Sequence, residues 1–546
     1  MLAYHGSGQQ LENLRDQKPL SIHGHTGINL ISYGSQGIPG NMDPFSFLIS
    51  TQATASIYGV SIPFSLRYSG KDPSYTQPFN QFGMSPQYKW ITAHAGYRNL
   101  TWSPFTLAGH TFLGGGVEMQ PGKFRFGFVY GRFRDNTEPH VYGPDTLRTF
   151  KRKGFSTRIG YGNQHNYIDF IFLKIQDDST SLEKTNPETR TPSAQNGVAG
   201  LNTRLRISPK LSLEAEAATS LYTTDLAAPG LSPQEGIPAW LTGSNPMLRI
   251  NLSSELLTAI RTSLHYRTKT ASARLEYRRI DPGYRSMGAY YFTNDIEQLS
   301  LAPSFSLLKR KLLLRGSIGI QRDNLRNTKK ATSVRAISSV GVSYNPHPVF
   351  GIDLHYSNYS NNQRPGRLPL IDSIKQYHTT ANFSISPRLF FQKTRHHHMV
   401  MLVIQRMELM DHNANTAYLT ENQATTINLT YQVFMVKTGI SGMAGIQYNQ
   451  LKNYLMDYKA TGFSAGMGKA FLEGKINTGL NQSVVQTKGQ QGTAWIMNTT
   501  LYGYYMIDRH HSLRLNFYLI VNRSREALIN PSFSERKGDF GYVYNF

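Results

Sequence analysis

The side chains best equipped for chemistry are three adjacent histidines, a pair of aspartates and a recurring set of arginines. Arg395-His396-His397-His398 offers imidazole nitrogens to a metal ion. In an extended segment successive side chains point to opposite faces, so the three rings cannot converge on one ion without a bend. No acid lies nearby in sequence, and the run reads as a short turn, as does His510-His511. Asp177-Asp178 presents two carboxylates, too few oxygens for calcium without further ligands. The H-E-x-x-H zinc pattern and the glycine-rich phosphate loop do not occur. Cysteine is absent, which removes disulfides, thiolate nucleophiles and cysteine-bound zinc. The expectation is a non-enzyme with no catalytic, cofactor-binding or metal-binding residue, although a triad assembled from distant strands would leave no motif.

The arginines carry more information, because each sits at an alternate position opposite an apolar neighbour. They are Arg125, Arg204, Arg206, Arg274, Arg278, Arg315, Arg335 and Arg514, with Glu276 and Asp353 on the same polar faces. Facing a water-filled lumen, they would raise the local anion concentration. Paired with Glu214, Glu216, Glu276 and Asp353, they would instead fill that space as a salt-bridged interior. Both readings stay open here.

The elements that carry them have a period of two. Phe124, Phe126, Phe128 and Tyr130 alternate with Arg125, Gly127, Val129 and Gly131. Ala273, Leu275 and Tyr277 alternate with Arg274, Glu276 and Arg278, and Leu513, Leu515, Phe517 and Leu519 with Arg514, Asn516 and Tyr518. Such alternation over about ten residues predicts strands with one apolar and one polar face, long enough to cross a bilayer when tilted. No run of about 18 apolar residues exists to cross it as a helix. Helical spacing is weak throughout, with 250–262 the one modest candidate.

Connections also alternate. Tight turns at 208–210, 309–311, 345–348, 437–439 and 508–510 separate longer polar stretches at 134–147, 177–194, 226–257, 282–296, 361–376, 409–422 and 524–537. Short turns at one end and long loops at the other suit an outer-membrane barrel, with the short turns periplasmic and the long loops extracellular. The expected fold is all-β: a single large antiparallel transmembrane β-barrel of about 24 strands (range roughly 22–26). Residues 43–546 would form the barrel, and residues 1–42 a periplasmic or luminal segment. The net charge of +23 invites a nucleic-acid reading. That reading fails because the aromatics share faces with Leu and Ile while the arginines take the opposite face. Part of the charge is expected at loop ends, against lipid phosphates.

The final strand reads Gly538-Asp539-Phe540-Gly541-Tyr542-Val543-Tyr544-Asn545-Phe546, with Phe540, Tyr542, Tyr544 and Phe546 on one face. This resembles the C-terminal assembly signal of outer-membrane barrels and implies a barrel-assembly machinery as partner during biogenesis. The run PFSFLISTQATASIYGVSIPFSLRYSG, with YTQPFNQFGMSPQYKWITAHAGYRN and SPFTLAGHTFLGGGVEMQPGKFRFGFVYGRF, resembles large uncharacterised outer-membrane proteins of the Bacteroidota. The resemblance covers roughly residues 40–135 clearly; it implies a barrel in that outer membrane and brings no site residues. The opening residues lack a basic run followed by an apolar one, so an export signal is expected to be absent from this sequence. Outer-membrane lipid and lipopolysaccharide are the expected surroundings.

A barrel this wide would leak if left open. Residues 1–42, an infolded loop such as 226–257, or another protein would have to fill it. That points to a component or scaffold of a larger outer-membrane complex, in protein export, barrel assembly or surface-lipoprotein handling. The alternative is a self-gated channel preferring anionic solutes.

Overall fold

The computed structural model describes residues 19–57, 60–69, 81–136, 149–182, 191–231, 247–289, 293–365, 375–490, 492–525 and 531–546. Its 27 strands form one antiparallel sheet that closes on itself. The seam joins β1 (Leu20–Gln36) to β27 (Phe533–Asn545), and β1 also pairs with β2 (Phe45–Ile57). Two short strands, β4 (Gln81–Met84) and β5 (Gln87–Tyr88), share one wall position between β3 (Val60–Ser69) and β6 (Ile91–Thr101). The wall therefore has 26 positions.

The position of β1 corrects the expectation that residues 1–42 lie apart from the barrel for residues 20–36, while residues 1–18 lie outside the described residues. Leu20–Gln36 is wall, and Gly24 exchanges backbone hydrogen bonds of 3.0 Å with Phe546. In a ring of alternating strand directions an odd number would force one parallel pair, so β1 is needed to close it. Its alternation is blurred because Gly24 and Thr26 interrupt the outward row of Ile22, Ile28 and Leu30.

The helical candidate at 250–262 is also corrected: Ser254–Arg267 is a strand, β13. Leu256, Ile260 and Leu264 are spaced by four, which one helix face and one strand face both accommodate. Later strands run longer than expected, with 17 residues in β17 (Ala331–His347) and 16 in β20 (His396–Asp411). They extend past the apolar belt and take in parts of the stretches read as loops at 361–376, 409–422 and 524–537.

The five tight turns all fall at one end of the barrel, and the strand ends that flank the seven longer stretches at the other. On the outer face Phe124, Phe128, Tyr130, Phe170, Ile318, Ile320, Phe463 and Met467 are exposed. An apolar girdle this extensive is stable against lipid and costly against water.

Candidate functional site in the lumen

Register decides which side chains share the inner face. One row runs from Glu216 through Arg261, Arg278, Gln298 and Gln321 to Arg335, across β12 (Leu211–Thr223), β13, β14 (Ala271–Ile280), β15 (Ile296–Leu307), β16 (Leu312–Arg322) and β17. The same parity places Arg125, Arg204, Arg206, Arg274, Glu276, Arg315, Asp353 and Arg514 inside. Phe540, Tyr542 and Tyr544 face outward beside the seam, and the Phe546 ring lies tilted 5.7 Å from that of Tyr544.

The arginines divide into two groups. Arg125 grips Asp169 through two hydrogen bonds of 2.8 Å, and Arg204 lies 2.8 Å from Glu214. Arg274 pairs with Glu276, Asp353 takes Arg388, and Arg514 sits 3.6 Å from Asp539. By contrast, Arg206, Arg278, Arg315 and Arg335 meet no carboxylate within 4.0 Å among the described residues. Arg315 also borders a groove of about 370 Å³ with Ser339, Gly341, Asp353 and His355.

One flank of the lumen is dry. Two segments from the long-loop end, 102–107 and 281–289, fold inward and pack on the wall. Trp102, Phe105, Leu107, Tyr284 and Met287 bury themselves against Val129, Ile171, Leu173, Ile175, Val198, Leu257 and Ile280. The wall residues belong to β8 (Phe124–Arg134), β10 (Tyr167–Asp177), β11 (Gln195–Ser208), β13 and β14. Hydrogen bonds tie the segments together and to the wall. The Tyr284 hydroxyl donates to the Phe105 carbonyl at 2.7 Å, and Ser286 donates to Thr106 at 2.5 Å. The Met287 amide donates to Asn196 at 2.9 Å, and Asn202 donates to the Trp102 carbonyl at 2.8 Å. Gly288 allows the approach, because a Cβ there would lie 2.8 Å from the Thr106 carbonyl oxygen.

Burial pushes the Tyr284 phenol above its ordinary pKa, so its hydroxyl remains a donor across the working pH range. Tyr284→Phe leaves the Phe105 carbonyl without that partner, a loss of about 1–3 kcal/mol. The Ala108 amide, which donates to Gly288 at 3.0 Å, should then exchange its hydrogen roughly tenfold or more faster. Unchanged exchange would show that this bond does not hold the segments in place.

A polar chain anchors Trp102 from the other side. Glu118 accepts from the indole N–H and from Arg158, both at 2.9 Å, and contacts His94 Nε2 at 3.2 Å. His94 Nδ1 in turn meets Ser85 Oγ at 2.8 Å. A serine, a histidine and an acid in that order suggest nucleophilic catalysis. Ser85 and His94 are each only 6% exposed, however, and Glu118 is committed to Trp102 and Arg158. The arrangement is built to hold a tryptophan. Sequence reasoning missed it because its members come from separate strands and from the connections at Ser85 and Trp102.

The remaining candidates resolve into wall. His396, His397 and His398 open β20 instead of forming a turn. His396 and His398 hydrogen-bond each other at 2.6 Å on the outer face, while His397 points inward and stacks between Phe390 and Phe434. His397, Phe434, Met443 and Tyr502 line an apolar shelf of about 360 Å³. Gly462-Phe463-Ser464-Ala465-Gly466 matches G-x-S-x-G, yet lies within the extended strand β23 (Asp457–Phe471), not at a strand-to-helix turn. Asp177 is occupied by Arg152 at 2.8 Å and Arg134 at 3.3 Å, and Asp178 by Thr180 and Lys153. Of the loop 226–257, residues 232–246 lie outside the described residues. Its flanks fold on each other through Asn251, which donates to the Asp225 carbonyl.

No protein-family model matches the chain, and no curated protein matches it. Among solved structures it is similar to OccK2 (OpdF) of Pseudomonas aeruginosa, at 10% identity and a TM-score of 0.31, covering 96% of this chain and 98% of that one. The translocation pore of the P pilus usher PapC is similar at 10% identity and a TM-score of 0.38, covering 96% of this chain and 100% of that one. The siderophore receptor PirA of Pseudomonas aeruginosa gives 9% and 0.38, covering 96% and 80%. Likeness this slight bears on nothing beyond itself, and the fold stands on its own strand pairings.

Proposed function

We propose that the chain is a conduit in the outer membrane of a Gram-negative bacterium, narrowed from one flank by its own infolded segments and selective for anionic solutes. The carrying observation is the division of the inner wall. Strands at about 4.8 Å spacing around 26 positions would enclose a lumen on the order of 40 Å across, were it round. Segments of six and nine residues (102–107 and 281–289) cannot bridge that distance. Among the described residues they dry one side and leave the other to solvent.

On the solvent side stand Arg315 and Arg335, and at its border with the dry flank Arg278 lies directly across from Arg261. Arg261 has Glu216 at 3.8 Å, but the arginines of this face outnumber their acids; such an excess attracts mobile anions, and a lumen concentrates the field. The need for a second protein to fill the barrel, which favoured a scaffold, weakens once the chain supplies part of the filling itself.

In planar bilayers under a salt gradient, the protein should conduct with a reversal potential of anion-selective sign. Arg278→Glu with Arg335→Glu should lower the anion-to-cation permeability ratio several-fold. Silence, or cation selectivity in the unmodified protein, would sink the reading.

A further inference from the structure

We infer that the outer face of β22–β26 at the long-loop end is a seat for a phosphate-bearing membrane lipid. The inference rests on the membrane reading above and adds a binding site to it. The strands are β22 (Ile440–Asn453), β23, β24 (Ile476–Gly489), β25 (Gly492–Met506) and β26 (His511–Ser524). Their outward side chains change character along the barrel axis. Ile446, Phe463, Leu480, Met497 and Phe517 form the exposed apolar belt. Two to eight positions further toward the long loops, the same face presents Lys452, Lys459, Lys488 and Arg523, with Trp495 among them.

Register makes this more than a solvated fringe. Lys459 and Lys488 are direct cross-strand partners, so two ammonium groups sit side by side on the outer surface. Like charges so placed are destabilising unless an anion lies between them. Asp457 offsets part of the charge, 3.4 Å from Lys459, while Lys488 meets no carboxylate within 4.0 Å among the described residues. Trp495 is 44% exposed, is the cross-strand partner of Arg523, and has the amphipathic character of a side chain at headgroup level.

A ligand that fits both halves carries acyl chains to lie along Phe463 and Leu480 and a phosphate to bridge Lys459 and Lys488. A soluble anion uses only the upper half. That continuity with the belt favours a lipid, and at this end of the barrel it would be a lipid of the outer leaflet.

The test uses the full chain in nanodiscs of phosphatidylcholine doped with bis-phosphorylated lipid A or with its dephosphorylated form. The unmodified barrel should retain the phosphorylated lipid preferentially through exchange, as read by native mass spectrometry. Lys459→Gln with Lys488→Gln should cut that preference by about tenfold or more. Phosphatidylcholine retention should stay the same, which controls for folding. Equal retention of both lipids would overturn the inference while leaving the membrane barrel standing. Full competition by millimolar inorganic phosphate would overturn it in favour of a soluble-anion site. Failure to enter nanodiscs at all would remove the membrane reading and the inference together.

Discussion

Gly288→Val should expel the two infolded segments from the wall and raise single-channel conductance by about a quarter. At Gly288 an added Cβ would fall 2.3 Å from Leu173 Cδ1 and 2.8 Å from the Thr106 carbonyl oxygen. Leu173 can rotate aside, but the carbonyl is backbone held by Ser286, so one partner must leave. Overpacking of this kind costs about 1–3 kcal/mol, and it falls where the two segments meet, at the Ser286–Thr106 and Ala108–Gly288 hydrogen bonds. The conductance estimate follows from area. The infolded layer covers the flank from β8 to β14, seven of the 26 wall positions. At about 10 Å thick it occupies roughly a fifth of a 40 Å lumen, so its release raises the open area by about a quarter. Trp102 should become wetter at the same time, shifting its emission to the red. Higher conductance with Trp102 still buried would mean that the passage lies elsewhere, and unchanged conductance would mean that the segments do not narrow it.

The barrel was legible because lipid outside and water inside impose opposite demands on neighbouring residues. That contrast makes Phe124 to Tyr130 and Leu513 to Val521 readable as strands without any partner in view. The same logic failed where the contrast is weak. β1 replaces part of its outward row with Gly24 and Thr26, and β4 and β5 are broken by Ser85 and Pro86. β1, set outside the barrel from sequence, is one of the 26 wall positions, the upper end of the expected range.

The infolded site had a signal that period-two reading passes over. In β10, Phe170, Ile171, Phe172, Leu173 and Ile175 are apolar on both faces, as is Leu256-Leu257 in β13. A strand with one face in lipid can afford a second apolar face only if something apolar covers it from within. What covers it was not legible, because Phe105 and Tyr284 are 179 residues apart and meet only once the ring closes. The luminal arginines show a similar limit. Alternation placed them on one face, but which of them find acids depends on cross-strand register. Arg204 opposite Glu214 is paired, whereas Arg278 opposite Arg261 is not.

That dependence on register leads to the largest stability effect we expect, from Asp169→Ala. Asp169 is 1% exposed and receives both hydrogen bonds of the Arg125 guanidinium, whose other side lies 4.3 Å over the Tyr167 ring. Removing the carboxylate strands a cation that water reaches poorly, since the Arg125 side chain is itself only 14% exposed. Breaking a buried pair from one side costs about 3–5 kcal/mol, most of it the uncompensated charge and not the lost attraction. Replacing both partners separates these terms: Arg125→Met with Asp169→Leu removes the attraction without leaving a charge behind. The double variant should therefore recover most of the stability lost by Asp169→Ala, measured by urea unfolding in detergent. If it is no more stable than Asp169→Ala, the pair contributes through its geometry against Gly160 and Tyr167, and the buried-charge account is wrong. If Asp169→Ala itself unfolds at the same urea concentration as the unmodified protein, water reaches Arg125 from the lumen and this part of the wall is not dry.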